Sequence, residues 1–210
     1  MTKKEAKEIT GGLSNPSKMP GKGYSLPPAE CNNGNKFKDD RNSVCASCYA
    51  CKGRYLFKNV QGALYRRLEA IKDVRWVEAM VTLLEDEYPY FRWHDSGDIQ
   101  NMDHFSKIVE IAEKLPNHKF QIPTKEYGIV LCYIGSHEVP DNLVVRFSSP
   151  VPDKQLPVTL NHPNLALATV YSSVDKCGED YVCPATTDRH TCDNCRFCWD
   201  NKGGVAYIQH

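Results

Sequence analysis

Apolar and polar positions fall into three regimes along the chain. The first 55 residues hold Gly, Pro, Asn and Ser at close intervals and no sustained period, which predicts loop anchored by something other than a large core. Residues 56–72 (LFKNVQGALYRRLEAIK) and 74–87 (VRWVEAMVTLLEDE) then repeat their apolar positions at helical spacing, and Pro89 stops the second helix. Beyond it, short apolar or aromatic runs alternate with helical stretches. Strands are predicted at Tyr90–His94, Lys119–Pro123, Leu143–Ser148 and Leu165–Tyr171, with helices at Met102–Leu115 and Tyr127–Ser136.

Strands starting near residues 90, 119, 143 and 165 are spaced like successive β-α units, whose crossovers require a parallel sheet. The expected class is α/β, a reduced or partial (β/α) barrel with Cys-rich metal-binding segments at both ends. An open doubly wound sheet is the second choice, but no glycine-rich dinucleotide loop supports it. Three stretches make one compact domain: 1–55 basic and loop-rich, 56–175 the β/α core, and 176–210 Cys-rich.

The chain has 210 residues, none in an apolar run of the ~18 needed to span a bilayer. Its start, MTKKEAKEITGG, lacks the apolar centre of a secretion signal, so no membrane association and no export are expected. Ten cysteines then argue for metal ligation over disulfides, because thiols stay reduced in the cytosol. Cys132, alone in the middle, reads as a small buried apolar residue.

The 26 basic and 26 acidic side chains cancel, yet residues 1–76 carry 15 against 7 and residues 77–210 carry 11 against 19. A basic first third rich in Gly, Asn and Lys suits a phosphate backbone, or is simply a solvated surface.

The first cysteine group, Cys31, Cys45, Cys48 and Cys51, contains two C-x2-C steps, a spacing that lets one turn aim two thiolates at one centre. Four thiolates suit zinc; three leaving an iron open suit a catalytic [4Fe-4S] cluster. The second group is Cys177, Cys183, Cys192, Cys195 and Cys198, with His210 as a possible fourth ligand to a Cys3His zinc site; an all-cysteine iron–sulfur site also fits the count. Between them, FRWHDSGDIQ places His94, Asp95, Ser96, Gly97 and Asp98 at the end of a strand, where barrel enzymes keep their chemistry. Asp95, Asp98 and His94 are candidate acid–base groups. Gly97 would permit close backbone approach to a ligand, and Asp98 could instead cap the next helix. Later strand ends deliver Thr124, Lys125 and Glu126, then Arg146, Ser148, Ser149 and Asp153. Lys125 and Arg146 could hold an anion, and Asp153 could be a second catalytic carboxylate.

In order, C-x2-C-Y-A-C-K-G, FRWHDSGDI, PTKE and the closing C-x2-C-x2-C-W resemble the phage gene product 88 family across residues 12–210. That resemblance implies a viral protein acting in the cytoplasm of an infected bacterium. Two enzyme classes share pieces of the pattern. The guanine transglycosylases that insert 7-deazaguanines are β/α barrels with an Asp-Ser-Gly motif and a C-terminal Cys3His zinc site. By that likeness Asp95 would bind the base and Asp153 or Asp98 would attack the sugar, with Ser96, Gly97, Lys125, Glu126 and Arg146 around the substrate. The partners would be DNA (or RNA), its target base flipped out, and a small deazapurine. The radical S-adenosylmethionine enzymes are partial barrels whose cysteine trio precedes the main strands. Here that trio would be Cys31, Cys45 and Cys48, with S-adenosylmethionine as cofactor and an auxiliary cluster on the C-terminal cysteines. The base-exchange transglycosylase leads; the radical enzyme and a zinc-stapled nucleic-acid-binding module are alternatives.

Overall fold

The computed structural model describes residues 1–158, 162–187, 189–200 and 203–209. Seven strands form one sheet: β1 (Gly23–Tyr24), β2 (Tyr90–Trp93), β3 (Lys119–Thr124), β4 (Leu143–Ser148), β5 (Leu165–Tyr171), β6 (Tyr181–Val182) and β7 (Val205–Ile208). Their spatial order is β1-β2-β3-β4-β5-β7-β6, and every pairing is parallel. The α/β class holds. Among the described residues the sheet is open, with β1 and β6 as its margins, so no closed barrel forms. Nor does the order reverse through β1–β5, as a doubly wound sheet requires.

The helices are α1 (Lys3–Thr10), α2 (Asn32–Phe37), α3 (Lys58–Ala70), α4 (Trp76–Leu84), α5 (Met102–Lys114), α6 (Tyr127–Ile134) and α7 (Phe197–Asp200). Consecutive parallel strands joined by right-handed crossovers put their helices on one face. Accordingly α4 packs on α1 and α5, and α5 on α6. Alternate strand positions supply the matching sheet face: Phe91 and Trp93, Phe120 and Ile122, Leu143, Val145 and Phe147, then Leu165. Each such side chain, once fully buried, contributes about 1.5–3 kcal/mol, so this core does not depend on the cysteines.

Two expectations need correction. The first 55 residues are not all loop: Thr2 and Glu5 form a reciprocal capping box that starts α1, and left-handed Gly11 ends it. Cys132 is exposed, because α6 turns Val130 and Tyr133 inward instead.

The sheet's other face carries Arg92, Gln121, Val144 and Arg146, in register across β2–β4, and is covered by the C-terminal segment. There α7 packs on β3 and β4, and Trp199 donates its indole N–H to the Phe91 carbonyl at 2.8 Å.

Candidate active site

Because all strands run parallel, their C-terminal ends form one rim. At the end of β2 the chain turns sharply, with His94 at φ 53° and Gly97 at φ 79°. The loop is laced to the residues after β1: Leu26 N–H donates to the Ser96 carbonyl and Ser96 Oγ to the Leu26 carbonyl, both at 2.8 Å. A Cβ on Gly97 would lie 2.5 Å from that of Leu26. The close approach expected for a ligand at Gly97 is thus taken by Leu26, and Ser96 is likewise spent on the backbone.

Asp98 is buried and both its oxygens are engaged. Oδ1 accepts from Thr124 Oγ1 at 2.5 Å and Ile99 N–H at 2.8 Å, and Oδ2 from Lys125 N–H at 2.9 Å. Burial raises its pKa to about 6, against the pull of these donors. It locks β3 to the β2 loop; the helix that follows is capped by Asn101, not by Asp98. Asp95 is the carboxylate left at the rim, partly exposed. Tyr55 donates its hydroxyl to Asp95 Oδ2, Tyr49 donates to the Asp95 carbonyl, and an Arg92 nitrogen lies 3.9 Å from Oδ1.

His94 does not join Asp95. Its buried ring lies behind the rim, 5.3 Å between centroids from His104 of α5, and neither ring nitrogen has a hydrogen-bond partner among the described residues. Burial holds it well below its usual pKa, so it is a neutral core residue. Arg146 is fully buried and donates to the carbonyls of Cys198, Leu167, Gly203 and Phe197 at 2.8–3.3 Å, fastening the C-terminal segment to the sheet instead of facing a substrate. Asp153 accepts from Ser172 and from Lys176 at 2.8 Å, and the Lys176 hydrogen bond, with the Ser172 N–H, lowers its pKa to about 2. Its partners come from the stretch after β5, not from the β2 loop.

The N-terminal cysteines arrive above β3 and β4. Asn33 N–H donates to Glu126 Oε1 at 2.8 Å, and its amide reaches Glu126 Oε2 at 3.0 Å and the Lys125 carbonyl at 2.8 Å. Val44 N–H bonds the Pro150 carbonyl at 2.9 Å. Between these tethers run two tight turns, Cys48 N–H to the Cys45 carbonyl at 3.3 Å and Cys51 N–H to the Cys48 carbonyl at 3.1 Å. Cys31, Cys45 and Cys48 are half-buried and Cys51 is exposed. Burial first, then Asp98, Cys48 and Cys45, push the Cys31 thiol up, while the Lys125 cation opposes them. Gly34 leaves room here, since its Cβ would sit 2.8 Å from that of Cys31.

The family model described as gene product 88 matches residues 1–201. The chain belongs to the gene product 88 family. No curated protein and no solved structure matches it.

The C-terminal cysteines divide. Cys183, Cys192 and Cys198 pack into one cluster with Phe197 and Tyr207, and Cys195 lies 3.4 Å from the Tyr181 hydroxyl. Cys192 and Cys195 share a turn of 2.7 Å. Burial, then Cys183 and Cys198, raise the Cys192 thiol to about 11. Cys177 instead packs with Tyr171 and Ala206. His210 lies outside the described residues. Among the described residues no group of three or more His, Cys, Asp or Glu side chains is placed so that it could hold a metal ion. No described helix is long and apolar enough to cross a membrane.

Four residues of this rim escaped the sequence reading: Asn33, Tyr49, Tyr55 and Arg92. The tyrosines sit inside the C-Y-A-C-K-G-R-Y run, so their closeness to the thiols was readable; nothing in the spacing marks Asn33.

Proposed function

We propose that the chain is an iron–sulfur enzyme of the radical S-adenosylmethionine kind, built on a partial (β/α) barrel and acting in the cytoplasm of an infected bacterium. The observation that carries this reading is the placement of Cys31, Cys45 and Cys48 over the C-terminal ends of parallel strands, with Lys125 and Asp98 acting on the Cys31 thiol. Sequential strand order through β1–β5 supports the partial barrel, since bending such a sheet gives one.

The donor set suits a cluster in chemistry: Cys31 and the two thiols of the Cys45–Cys48 turn are half-buried, and burial, then Asp98, Cys48 and Cys45, raise the Cys31 pKa, a repulsion that a cationic centre relieves. A cluster held by Cys31, Cys45 and Cys48 would supply one-electron chemistry for the reductive cleavage of S-adenosylmethionine. Around it Lys125 offsets thiolate charge and Tyr49 and Tyr55 hold Asp95 in place. Cys183, Cys192, Cys195 and Cys198 would take a second metal, as zinc or an auxiliary cluster, without Cys177.

Base exchange, replacing guanine in DNA by a 7-deazaguanine, is the second reading, favoured by Asp95 at the strand mouth. It needs a second free carboxylate as nucleophile, and both candidates are engaged: Asp98 by three donors and Asp153 by Lys176 and Ser172.

Anaerobic purification with iron and sulfide assay, followed by dithionite and S-adenosylmethionine, tests the choice. The expected result is a brown protein with about four irons in the N-terminal site that forms 5′-deoxyadenosine. A colourless, zinc-only protein that exchanges a labelled deazapurine into DNA would overturn it.

A further inference from the structure

Beside the rim lies a surface that the fold does not use. Residues 49–58 run as two short turns, Tyr49–Cys51 and Gly53–Leu56, into the start of α3. Their inner side is fixed by the tyrosines: Tyr49 and Tyr55 both bond Asp95, and their rings lie 5.9 Å apart edge to face. The outer side is left open. Leu56 is 61% exposed, Phe57 59% and Tyr49 57%, in a chain whose other large aromatics mostly lie inside. Lys52, Arg54 and Lys58 are exposed among them. Residues 41–68 hold six basic side chains and no acidic one. Of the six, Arg67 is turned inward onto the Gly12 and Leu13 carbonyls.

Neighbouring exposed apolar side chains lose favourable burial and mark contact surfaces. Interleaved with lysine and arginine, they match one ligand chemistry closely: bases that stack on an aromatic face while the cations follow the phosphates. A duplex hides its base faces and meets only the cations. We propose that the Tyr49–Lys58 surface binds single-stranded nucleic acid and delivers it to the Asp95 rim, with Phe57 stacking a base and Lys52, Arg54 and Lys58 contacting phosphates. Only the use of the strand as substrate rests on the iron–sulfur reading; the binding itself does not.

The test is fluorescence anisotropy of the full-length, anaerobically purified chain with labelled single-stranded DNA and RNA oligonucleotides and with duplex DNA, titrated over salt. Single strands of either sugar should bind more tightly than duplex. Phe57→Ala should weaken binding about tenfold, the loss of one stacked base. The triple variant K52Q/R54Q/K58Q should make the slope of log affinity against log salt shallower by about 0.7 per lost contact, about 2 in all. Thermal melting of both variants should match the parent, and 5′-deoxyadenosine formation without nucleic acid should be unchanged. Absence of oligonucleotide binding at low salt, duplex binding equal to single-strand binding, or variants with parental affinity and slope would overturn the proposal. So would binding to anionic phosphatidylglycerol vesicles in place of oligonucleotides. If 5′-deoxyadenosine forms but no oligonucleotide binds, the surface assignment fails and the enzyme reading stands; the reverse pair of results fails the enzyme reading alone.

Discussion

Asn33 donates its backbone N–H to Glu126 Oε1 at 2.8 Å, joining residues 93 positions apart and seating the first cysteine over the end of β3. Glu126 is 4% exposed, so the carboxylate has little water to fall back on. Glu126→Ala would leave the half-buried Asn33 backbone N–H without its acceptor, its side-chain amide keeping only the Lys125 carbonyl, and is expected to cost about 1–3 kcal/mol. It should also lower iron uptake, because Cys31 loses its anchor. Urea unfolding and iron assay check both; an unchanged midpoint would show that the tether is idle.

Asp98 and His104 give acid stability opposite slopes. Burial raises Asp98 from 3.8 to about 6, so its contribution is complete below pH 3.8 and is lost as pH rises through 6. Burial lowers His104 from 6.5 to about 3, so its contribution is complete above pH 6.5 and is lost as pH falls toward 3. Asp98→Asn should remove a fall in stability of about 3 kcal/mol between pH 4 and 7. His104→Leu should flatten part of the acid limb, with the similarly lowered His94 keeping the rest. Urea midpoints at half-unit pH steps read both slopes, and parental slopes in either variant would refute the assignment of that residue.

Legibility followed length and period. β4 and β5 were readable to the residue because six or seven apolar-rich positions carry a pattern, while β1 and β6, at two residues each, carry none. α1 was readable only from its ends, Thr2 with Glu5 and Gly11, since its body buries just Ala6 and Thr10. At the site, the sequence grouped His94, Asp95 and Asp98 as neighbours. It could not say that a left-handed turn at His94 sends the three side chains to different places, one into the core, one to the rim and one into a lock on β3. Arg146 had the same fate: a cation at a strand end looks alike whether it faces a substrate or a set of carbonyls.

The cysteines should separate by function. Single serine substitutions at Cys31, Cys45 or Cys48 are expected to abolish 5′-deoxyadenosine formation and remove about four irons. Substitutions at Cys183, Cys192, Cys195 or Cys198 should remove a different metal pool, and those at Cys132 or Cys177 should leave metal content at the parental level. Elemental analysis of each variant decides it, and loss of metal on Cys177→Ser would place that residue back in the ligand set.

Arg146→Ala is expected to cost about 3 kcal/mol, because the carbonyls of Cys198, Phe197 and Gly203 lose a shared buried donor. Arg146→Lys should restore less than half, since one ammonium cannot reproduce the planar fork. Any metal held by the proposed Cys183, Cys192, Cys195 and Cys198 set should also leave faster in chelator. Chelation kinetics alongside urea unfolding measure the pair, and full rescue by lysine would mean that charge alone matters there.

The two-residue margins of the sheet have a consequence for how the protein behaves at high concentration. A long bare edge is a template on which another chain can add a strand. Here the longer strands β2–β5 and β7 are paired on both sides, and β1 and β6 leave only two residues each at the borders. Among the described residues the open parallel sheet therefore offers a second molecule only a two-residue strand at either border.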